Sequence, residues 1–576
     1  MMRFVIFSLL FFSSFGLFSQ NPSNPKREFR ATWLATVANI DWPKTKITSP
    51  GNQTQINTQK NELITILNKL QAANMNVVFL QIRPMADALY QTQITTWSSF
   101  LTGTRGQNPG YDPLAFAIEE AHKRGMELHG WMNPYRYTST ATNHSASDYM
   151  RVQHPEWLLD FGSSGRILNP GIPAVRTHIA QVTKEVIVNY PDIDGIVWDD
   201  YFYIEAIGTG NEDADTYSNY NPEGLAIKDW RRINVNKTVK EVYDTIQAVN
   251  PGIRFGISPR GIWGVKQSDA NQYGVTLPAG ITGADNYNTI YCDGIAWLSQ
   301  GTIDYISPQL YWATYPTGAA GQDYNKLAPW WQSVANKFGR HFYSSQGTYR
   351  AWEAEELGRQ IVVNRTANDN SPGSVFYNTN TLLNPTYGYD IYLKDNYFTT
   401  QILPPAISWK SALVSAISNV VLTGNTLTWN SNHTDGSFVV FAVPDDKAPS
   451  QITGFNYMLT RHWTKTNSFD LGSFSSLKAT HGFAVASVNR FAVMSEPIYE
   501  QRLYLSTENK SASPTFKVYI QDTQLFLQLD QANTVSIYSM SGILIYNSWV
   551  ESALTLNLPK GVYIIRVGEQ TKKVVM

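Results

Sequence analysis

The sequence predicts an α/β chain: a closed (β/α)₈ barrel over residues 27–400, an all-β sandwich over 405–501 and a small β-domain over 502–576. Three observations predict it. Eight short apolar runs alternate strictly with helical patterns between about Arg27 and Tyr397, the order of a parallel sheet with crossover helices. No glycine-rich phosphate fingerprint follows the first run, which sets aside an open dinucleotide-binding sheet. After the linker "LPPAISWK" the helical period disappears and short alternating strands take over.

Strand one is read in "EFRATWLAT", and the helix after it in "QKNELITILNKLQAANM", where Leu63, Ile66, Leu67 and Leu70 recur at helical spacing. "NVVFLQIRP" is strand two; a Gly/Pro-rich loop and the helix "DPLAFAIEEAHKRGM" lead to strand three, "ELHGWMNPY". "AVRTHIAQVTKEVIVNY" crosses to strand four, "DGIVWDDY", and a long helix around "KTVKEVYDTIQAVN" leads to strand five, "RFGISPRGIWG". "DYISPQLYW", "HFYSSQGTY" and "GSVFYNTN" complete eight units, the number that closes a barrel. "NTLTWNSN", "GSFVVFAVP" and "HGFAVASVNRFAVMSEP" then fit one sandwich of fibronectin type III size. "NTVSIYSMSGILIYNSW" and "LPKGVYIIRVGEQTKKVVM" form the last β-rich stretch, with a turn at "MSG".

Composition narrows the function classes. A length of 576 residues implies two to four domains, and 43% hydrophobic residues are ample for their cores. The formal charge of -1 provides no basic field, so nucleic acid is not an expected partner. Residues 1–20, "MMRFVIFSLLFFSSFGLFSQ", have the basic start, apolar run and small or polar end of a cleavable secretory signal, and no later segment qualifies as a membrane span. Cys292 is the one cysteine, so no intramolecular disulfide is available and a buried thiol is expected. The histidines are scattered without a close ligand pair, so neither metal nor cofactor is expected, and no G-x-S-x-G elbow suggests an esterase. The mature protein is expected to be exported and monomeric.

In such barrels the chemistry sits at the C-terminal ends of the strands. Strand one offers Asn39, Asp41 and Trp42 there, with Glu28 and Arg30 near its start; strand two ends in Gln81 and Arg83, followed by Asp87. Strand three gives Asn133, Tyr135 and Arg136; strand four Asp199, Asp200 and Tyr201; strand five Ser258 and Arg260. Strand six gives Gln309, Tyr311 and Trp312, strand seven Gln346, and strand eight Tyr377 and Asn378. Polar groups at a barrel mouth cost free energy unless paired with each other or with a ligand. Amides and guanidinium groups read hydroxyls and acids, and rings stack on sugar faces, so the set reads as a cleft for a polysaccharide. Arg83, Asp87, Asn133, Tyr135, Tyr201, Arg260, Gln309, Tyr311 and Trp312 are its candidate sugar contacts. His129 reads as a satisfied core or rim histidine before it reads as a sugar contact.

Glycoside hydrolysis needs a carboxylic acid for the leaving oxygen and a second group at the anomeric centre. Asp200 is the leading candidate for the acid, and Asp199 for positioning or stabilising. Adjacent carboxylates at a dry strand end repel, which raises the pKa of one. Strict alternation, however, sends only one of them into the mouth. Asp87 and Glu205 are the next candidates for a second carboxylate, because strand seven carries "SSQG" where many β-glycosidase barrels carry a nucleophilic Glu. "DIDGIVWDDY" loosely resembles the chitinase signature "DGxDxDxE", in which the substrate's N-acetyl group is the nucleophile and a strand-six Tyr, like Tyr311, assists. A non-catalytic glycan-binding protein, or a hydrolase of another polysaccharide, would use the same cleft.

"EFRATWLATVANIDWP", "VVFLQIRPMADALY", "GYDPLAFAIEEAHKRGMELHGWMNPYR", "DGIVWDDYFY", "FGISPRGIWG" and "DYISPQLYW" together resemble the glycosyl-hydrolase-like 10 family, across nearly all of the barrel. That resemblance implies a TIM-barrel glycoside hydrolase acting on peptidoglycan glycan strands, especially those stripped of peptides. The C-terminal part is similar to a fibronectin type III module followed by a type IX secretion sorting tail, on "VSIYSMSGILIYN", "LPKGVYIIRV" and "TKKVVM". This second resemblance implies a Bacteroidetes-like envelope and export machinery that engages the tail. Lipid-anchored relatives carry a Cys after the signal and this chain does not, so periplasm, cell surface and extracellular space are all open.

Overall fold

The structure, a computed structural model, describes residues 25–139, 148–207, 212–315, 322–367, 372–410, 413–433, 436–447, 454–500, 516–521, 524–540, 542–568 and 570–576. The signal read at 1–20 lies outside them. The chain divides into two compact units, Met1–Gln501 and Arg502–Met576.

Eight strands line the barrel: β1 Phe29–Leu34, β2 Val77–Arg83, β3 Glu127–Met132, β4 Gly195–Trp198, β5 Arg254–Ile257, β6 Tyr305–Ile306, β7 in two segments, His341–Phe342 and Ser344–Gly347, and β8 Gly373–Tyr377. All pairings are parallel. His341–Phe342 pairs with β6 and Ser344–Gly347 pairs with β8, which in turn pairs with β1. The two ends of the sheet are therefore consecutive pieces of one strand, interrupted at Tyr343, and the sheet closes on itself. Bridges from Arg260 to Gln309 and from Gln309 to Ser345 carry the closure up to the C-terminal rim.

The crossover helices include α1 Gln53–Ala72, α2 Pro113–Lys123, α3 Pro173–Asn189, α4 Ile227–Val249, α5 Tyr324–Lys337 and α6 Ala354–Ala367. Their starts follow from local chemistry. Asn52 caps α1 by accepting from the Gln55 amide at 3.1 Å, and Asp112 caps α2 from Leu114 and Ala115, with Pro113 at the first helical position. Leu63, Leu67 and Leu70 of α1 are buried as the helical period predicts, each stabilising by about 1.5–3 kcal/mol relative to exposure.

Alternation along the strands separates two cores. Phe29, Ala31, Trp33, Phe79, Trp131, Val197, Tyr305 and Tyr343 fill the inside of the barrel, while Leu34, Val78, Leu80, Ile196 and Trp198 face the helices. The inside is largely aromatic: Phe29 stacks on Tyr343 at 4.0 Å, and Trp33 meets Phe79 and Trp131 edge-on at 4.8 Å. Two glycines make the room. A Cβ on Gly195 would lie 2.6 Å from the His129 ring, and one on Gly256 2.0 Å from the Tyr305 ring. His129 is fully buried and shares a 2.9 Å hydrogen bond with the Tyr305 hydroxyl, so it is a satisfied core histidine.

The sandwich packs a three-stranded sheet (Ile417–Thr423, Thr426–Ser431, Ser468–Asp470) on a four-stranded one (Met458–His462, Gly436–Pro444, His481–Asn489, Ile498–Tyr499). It abuts the N-terminal face of the barrel. Arg461 donates to Glu127 at 2.7 Å while Arg254 lies 3.3 Å from the other Glu127 oxygen, Lys410 pairs with Asp304 at 2.8 Å, and Trp463 stacks on His122 at 4.0 Å. Glu28 and Arg30 belong to this same end: Glu28 is held by Arg30 and Arg365, each at 2.8 Å, far from the strand tips. The C-terminal unit is also all-β, with sheets of three and four strands around Leu525, Leu527, Val535, Ile537 and Ile565. Among the described residues no helix is long and apolar enough to cross a membrane.

Glu127 is buried and depends on its two arginines. Arg461→Ala, which leaves that carboxylate short of a partner, is expected to cost about 3–5 kcal/mol. Chemical denaturation of wild type and variant measures it, and an unchanged midpoint would show that the ion pair contributes nothing net.

Candidate active site

β4 stops at Trp198, so Asp199 and Asp200 lie past the last ladder pair and period-two alternation no longer governs them. Asp199 turns over the barrel interior. The Trp131 indole donates to its Oδ2 at 3.0 Å and the Tyr201 amide to its Oδ1 at 3.4 Å. Asp200 turns toward β5 and β6, where Arg260 Nε donates to Oδ2 at 2.8 Å and Gln309 Nε2 to Oδ1 at 3.2 Å. Both acids thus reach the mouth from one strand. Their surroundings differ sharply: Asp199 is 4% exposed and the Asp200 side chain 16%. Burial first, and then the charge of Asp200, pushes the Asp199 carboxyl well above the ordinary range, against the opposing pull of Arg136, the Tyr201 amide and the Trp131 indole. A buried carboxyl whose pKa is pushed up, beside a more exposed carboxylate held in an ion pair, is the kind of split environment that glycoside hydrolysis uses to divide acid from base.

Around this pair the rim supplies rings and cations. Tyr311 and Tyr377 lie nearly parallel at 5.9 Å, and Tyr349, 44% exposed, stands edge-on to both. Burial, then Asp41, Asp199 and Asp200, pushes the Tyr377 phenol up to about 12, so it is a hydrogen-bond donor at neutral pH. Arg136 lies 4.2 Å over the Tyr201 ring, Arg350 donates to the Tyr311 carbonyl at 3.1 Å, and Arg260 also pairs with Glu205. Trp312 packs over Gly261, where a Cβ would meet its ring at 2.6 Å.

The expected contacts divide accordingly. Tyr201, Arg260, Gln309 and Tyr311 come together around Asp199 and Asp200 at the rim, while Trp312 packs over Gly261 and against the helix-side core. Asn133 lies beneath them and is fully buried, accepting from the Trp131 indole at 2.9 Å and donating to the Pro84 carbonyl at 2.9 Å, so it supports the floor. Arg83, Asp87 and Tyr135 are not at the mouth. The β2–β3 register shifts between Gln81 and Arg83, which re-aims Arg83 into the layer between barrel and helices beside Tyr90, Asp87, Arg105 and Glu185. Asp87 accepts from the Met85 amide and pairs with Arg105, and Tyr135 packs against Phe202 with no exposure.

Other tips serve the scaffold. Asp41, pushed up to about 6 by burial, accepts from the amides of Ala35 and Asn380; Trp42 donates to the Gln59 carbonyl. Gln81 accepts from the amides of Thr36 and Val37, Gln346 reaches outward to Gln360, and Asn378 caps a short helix through the Thr381 amide. At the tip of β7, Ser345 accepts from the Trp33 indole at 2.8 Å. Among the described residues no three His, Cys, Asp or Glu side chains converge as a metal site would need. Sequence reasoning missed Trp131 and Tyr349. Inward alternation two residues before Asn133 would have exposed the first; the second follows a strand set aside for lacking a carboxylate.

The sequence model of the family described as glycosyl hydrolase-like 10 matches residues 28–361. The chain is 39% identical over 395 residues to the glycosyl hydrolase YngK of Bacillus subtilis, covering 66% of this chain and 74% of that one. It is 36% identical over 359 residues to the glycosyl hydrolase DigH of Escherichia coli K12, covering 60% and 78%. Among solved structures, the PgaB (BpsB) glycoside hydrolase domain of Bordetella bronchiseptica is similar at a TM-score of 0.39 and 11% identity, over 64% of this chain and 98% of that one.

A folded-state pKa raised above its unfolded value, about 3.9 for Asp, makes stability greatest below that value and lowers it as pH rises toward the folded pKa. Asp199→Asn removes this loss. Its melting temperature relative to wild type is expected to climb as pH rises above about 4, and a difference that is flat with pH would contradict the raised pKa of a buried Asp199.

Proposed function

The chain belongs to the glycosyl hydrolase-like 10 family, and from that membership and the geometry of the mouth we propose that it is an exported glycoside hydrolase cleaving N-acetylated bacterial glycan strands, namely peptidoglycan stripped of its peptides. The observation that carries this reading is the Asp199–Asp200 pair, one member with its pKa raised by burial and the other ion-paired with Arg260 at 2.8 Å. Asp200 is the member that solvent reaches, hence the one a glycosidic oxygen can approach; to act as general acid it takes up a proton from solvent as substrate binds and its ion pair with Arg260 opens, while Asp199 orients or stabilises. With Ser344, Ser345 and Gln346 at the β7 tip, the second group is supplied by the substrate. The carbonyl oxygen of its N-acetyl group attacks the anomeric carbon, the glycosidic C–O bond breaks, and the leaving oxygen takes the acid's proton. Water then opens the cyclic intermediate and returns a proton to the carboxylate. The three-plus-four strand arrangement of the sandwich supports a fibronectin type III-like module, and the terminal β-unit is read as the sorting tail.

A specific observation favours reversing the two acids: the raised pKa belongs to Asp199. The leaving group separates the two assignments. Purified protein is incubated with peptide-free strands and with an N-acetylated nitrophenyl glycoside, whose leaving group departs without protonation. Wild type is expected to release short oligosaccharides, seen by mass spectrometry. Replacing the acid by Asn lowers kcat/KM on strands by about 10²- to 10⁴-fold and far less on the nitrophenyl substrate; replacing its partner lowers both. Strands bound but left intact by wild type would instead favour a non-catalytic glycan-binding protein.

A further inference from the structure

The mouth holds a cation that its own acids do not neutralise. Arg136 follows β3, is half-buried, and its guanidinium carbon lies 4.2 Å over the centre of the Tyr201 ring, a contact that holds the cation at that ring. Among the described residues no carboxylate pairs with it. Arg260, the other cation of the mouth, is by contrast engaged by both Asp200 and Glu205. Asp199 feels the charge of Arg136 but forms no ion pair with it; its oxygens accept instead from the Trp131 indole and the Tyr201 amide. Tyr201, under the guanidinium, is itself within the field of Asp199, Asp200 and Tyr377, which places Arg136 beside the acid pair.

We propose that Arg136 is a specificity-determining residue that binds a free carboxylate on the glycan at the mouth. This rests on the glycan-strand reading above and adds to it the chemical feature that is recognised. A guanidinium held over a ring by cation–π contact keeps its N–H fork available, and a carboxylate can meet that fork with two parallel hydrogen bonds. A neutral N-acetylated glycan has nothing to place there. In peptidoglycan, alternate sugars carry a lactyl ether whose carboxyl is amidated while a peptide is attached and becomes a free carboxylate once the peptide is removed. Arg136 therefore makes peptide removal a requirement read by charge, rather than by steric exclusion alone.

The test compares wild type, Arg136→Met and Arg136→Lys on peptide-free strands and on the same strands with their carboxylates methyl-esterified, at one pH and low salt. Arg136 also lowers the pKa of Asp199. Its removal therefore alters catalysis on both substrates alike, and the ratio between them isolates recognition. Arg136→Met is expected to raise KM on the free-acid strands about 10- to 100-fold, to abolish most of the preference for acid over ester, and to be partly rescued by Lys. Equal losses on both strands, or no loss, would overturn the proposal. If wild type cleaves neither substrate, the hydrolase reading fails on its own. Calorimetric affinity for the two strands then decides: a loss in Arg136→Met confined to the free-acid strands upholds the carboxylate site, and equal affinities reject it.

Discussion

The indole N–H of Trp131 is where the packing of the barrel and the chemistry of its mouth become one problem. Its ring is part of the aromatic filling, edge-on to Trp33 at 4.8 Å, and its nitrogen is shared between Asn133 and Asp199. A buried indole needs an acceptor, and a buried carboxyl needs a donor. Each satisfies the other, and the arrangement holds Asp199 in a dry site where burial pushes its pKa up. Asp200, one residue on, is instead claimed by groups of the next two strands. The division of labour between two identical side chains follows from which neighbours the barrel places beside each.

Closure is what brings those neighbours in. Because β7 pairs with β6 through one segment and with β8 through the next, the rim residues of β5, β6 and β7 are bridged in a row from Arg260 through Gln309 to Ser345. That row fixes the two donors that orient Asp200. The opposite face is organised by different forces. There Glu28, Glu127 and Asp304 are buried with Arg and Lys partners; the sandwich contributes Arg461 to Glu127, and the linker before it contributes Lys410 to Asp304. Charge is therefore used at one end to join two domains, and at the other to present chemistry to solvent.

Much of this is legible in the amino-acid sequence. All eight strands lie where the alternation of apolar runs with helical periods puts them, and the capped starts of α1 and α2 follow from Asn52 and Asp112. Tyr201, Arg260, Gln309 and Tyr311 lie past the strand ends beside the acid pair, the position that strand-end reasoning gives them. Arg83 shows the limit. Its position at the end of "FLQIR" puts it at the tip, but one irregular pairing between β2 and β3 turns its side chain to the helix layer, and no local feature of the sequence marks that shift. Tyr135 and Asp87 are carried into the same layer by the loop that follows each strand.

The sequence by itself determined the architecture and the identity of the chemical groups: eight βα units, two all-β segments after them, and an adjacent pair of acids ending strand four. Those properties rest on short-range periodicity and residue type, which survive in a one-dimensional reading. Tertiary structure alone decided which acid is dry and which is ion-paired, that both reach the mouth because β4 ends at Trp198, and that Arg136 has no carboxylate partner among the described residues while Arg260 has two. The physical reason is that protonation and charge pairing depend on burial and on neighbours from distant strands, and those are set only when the barrel closes.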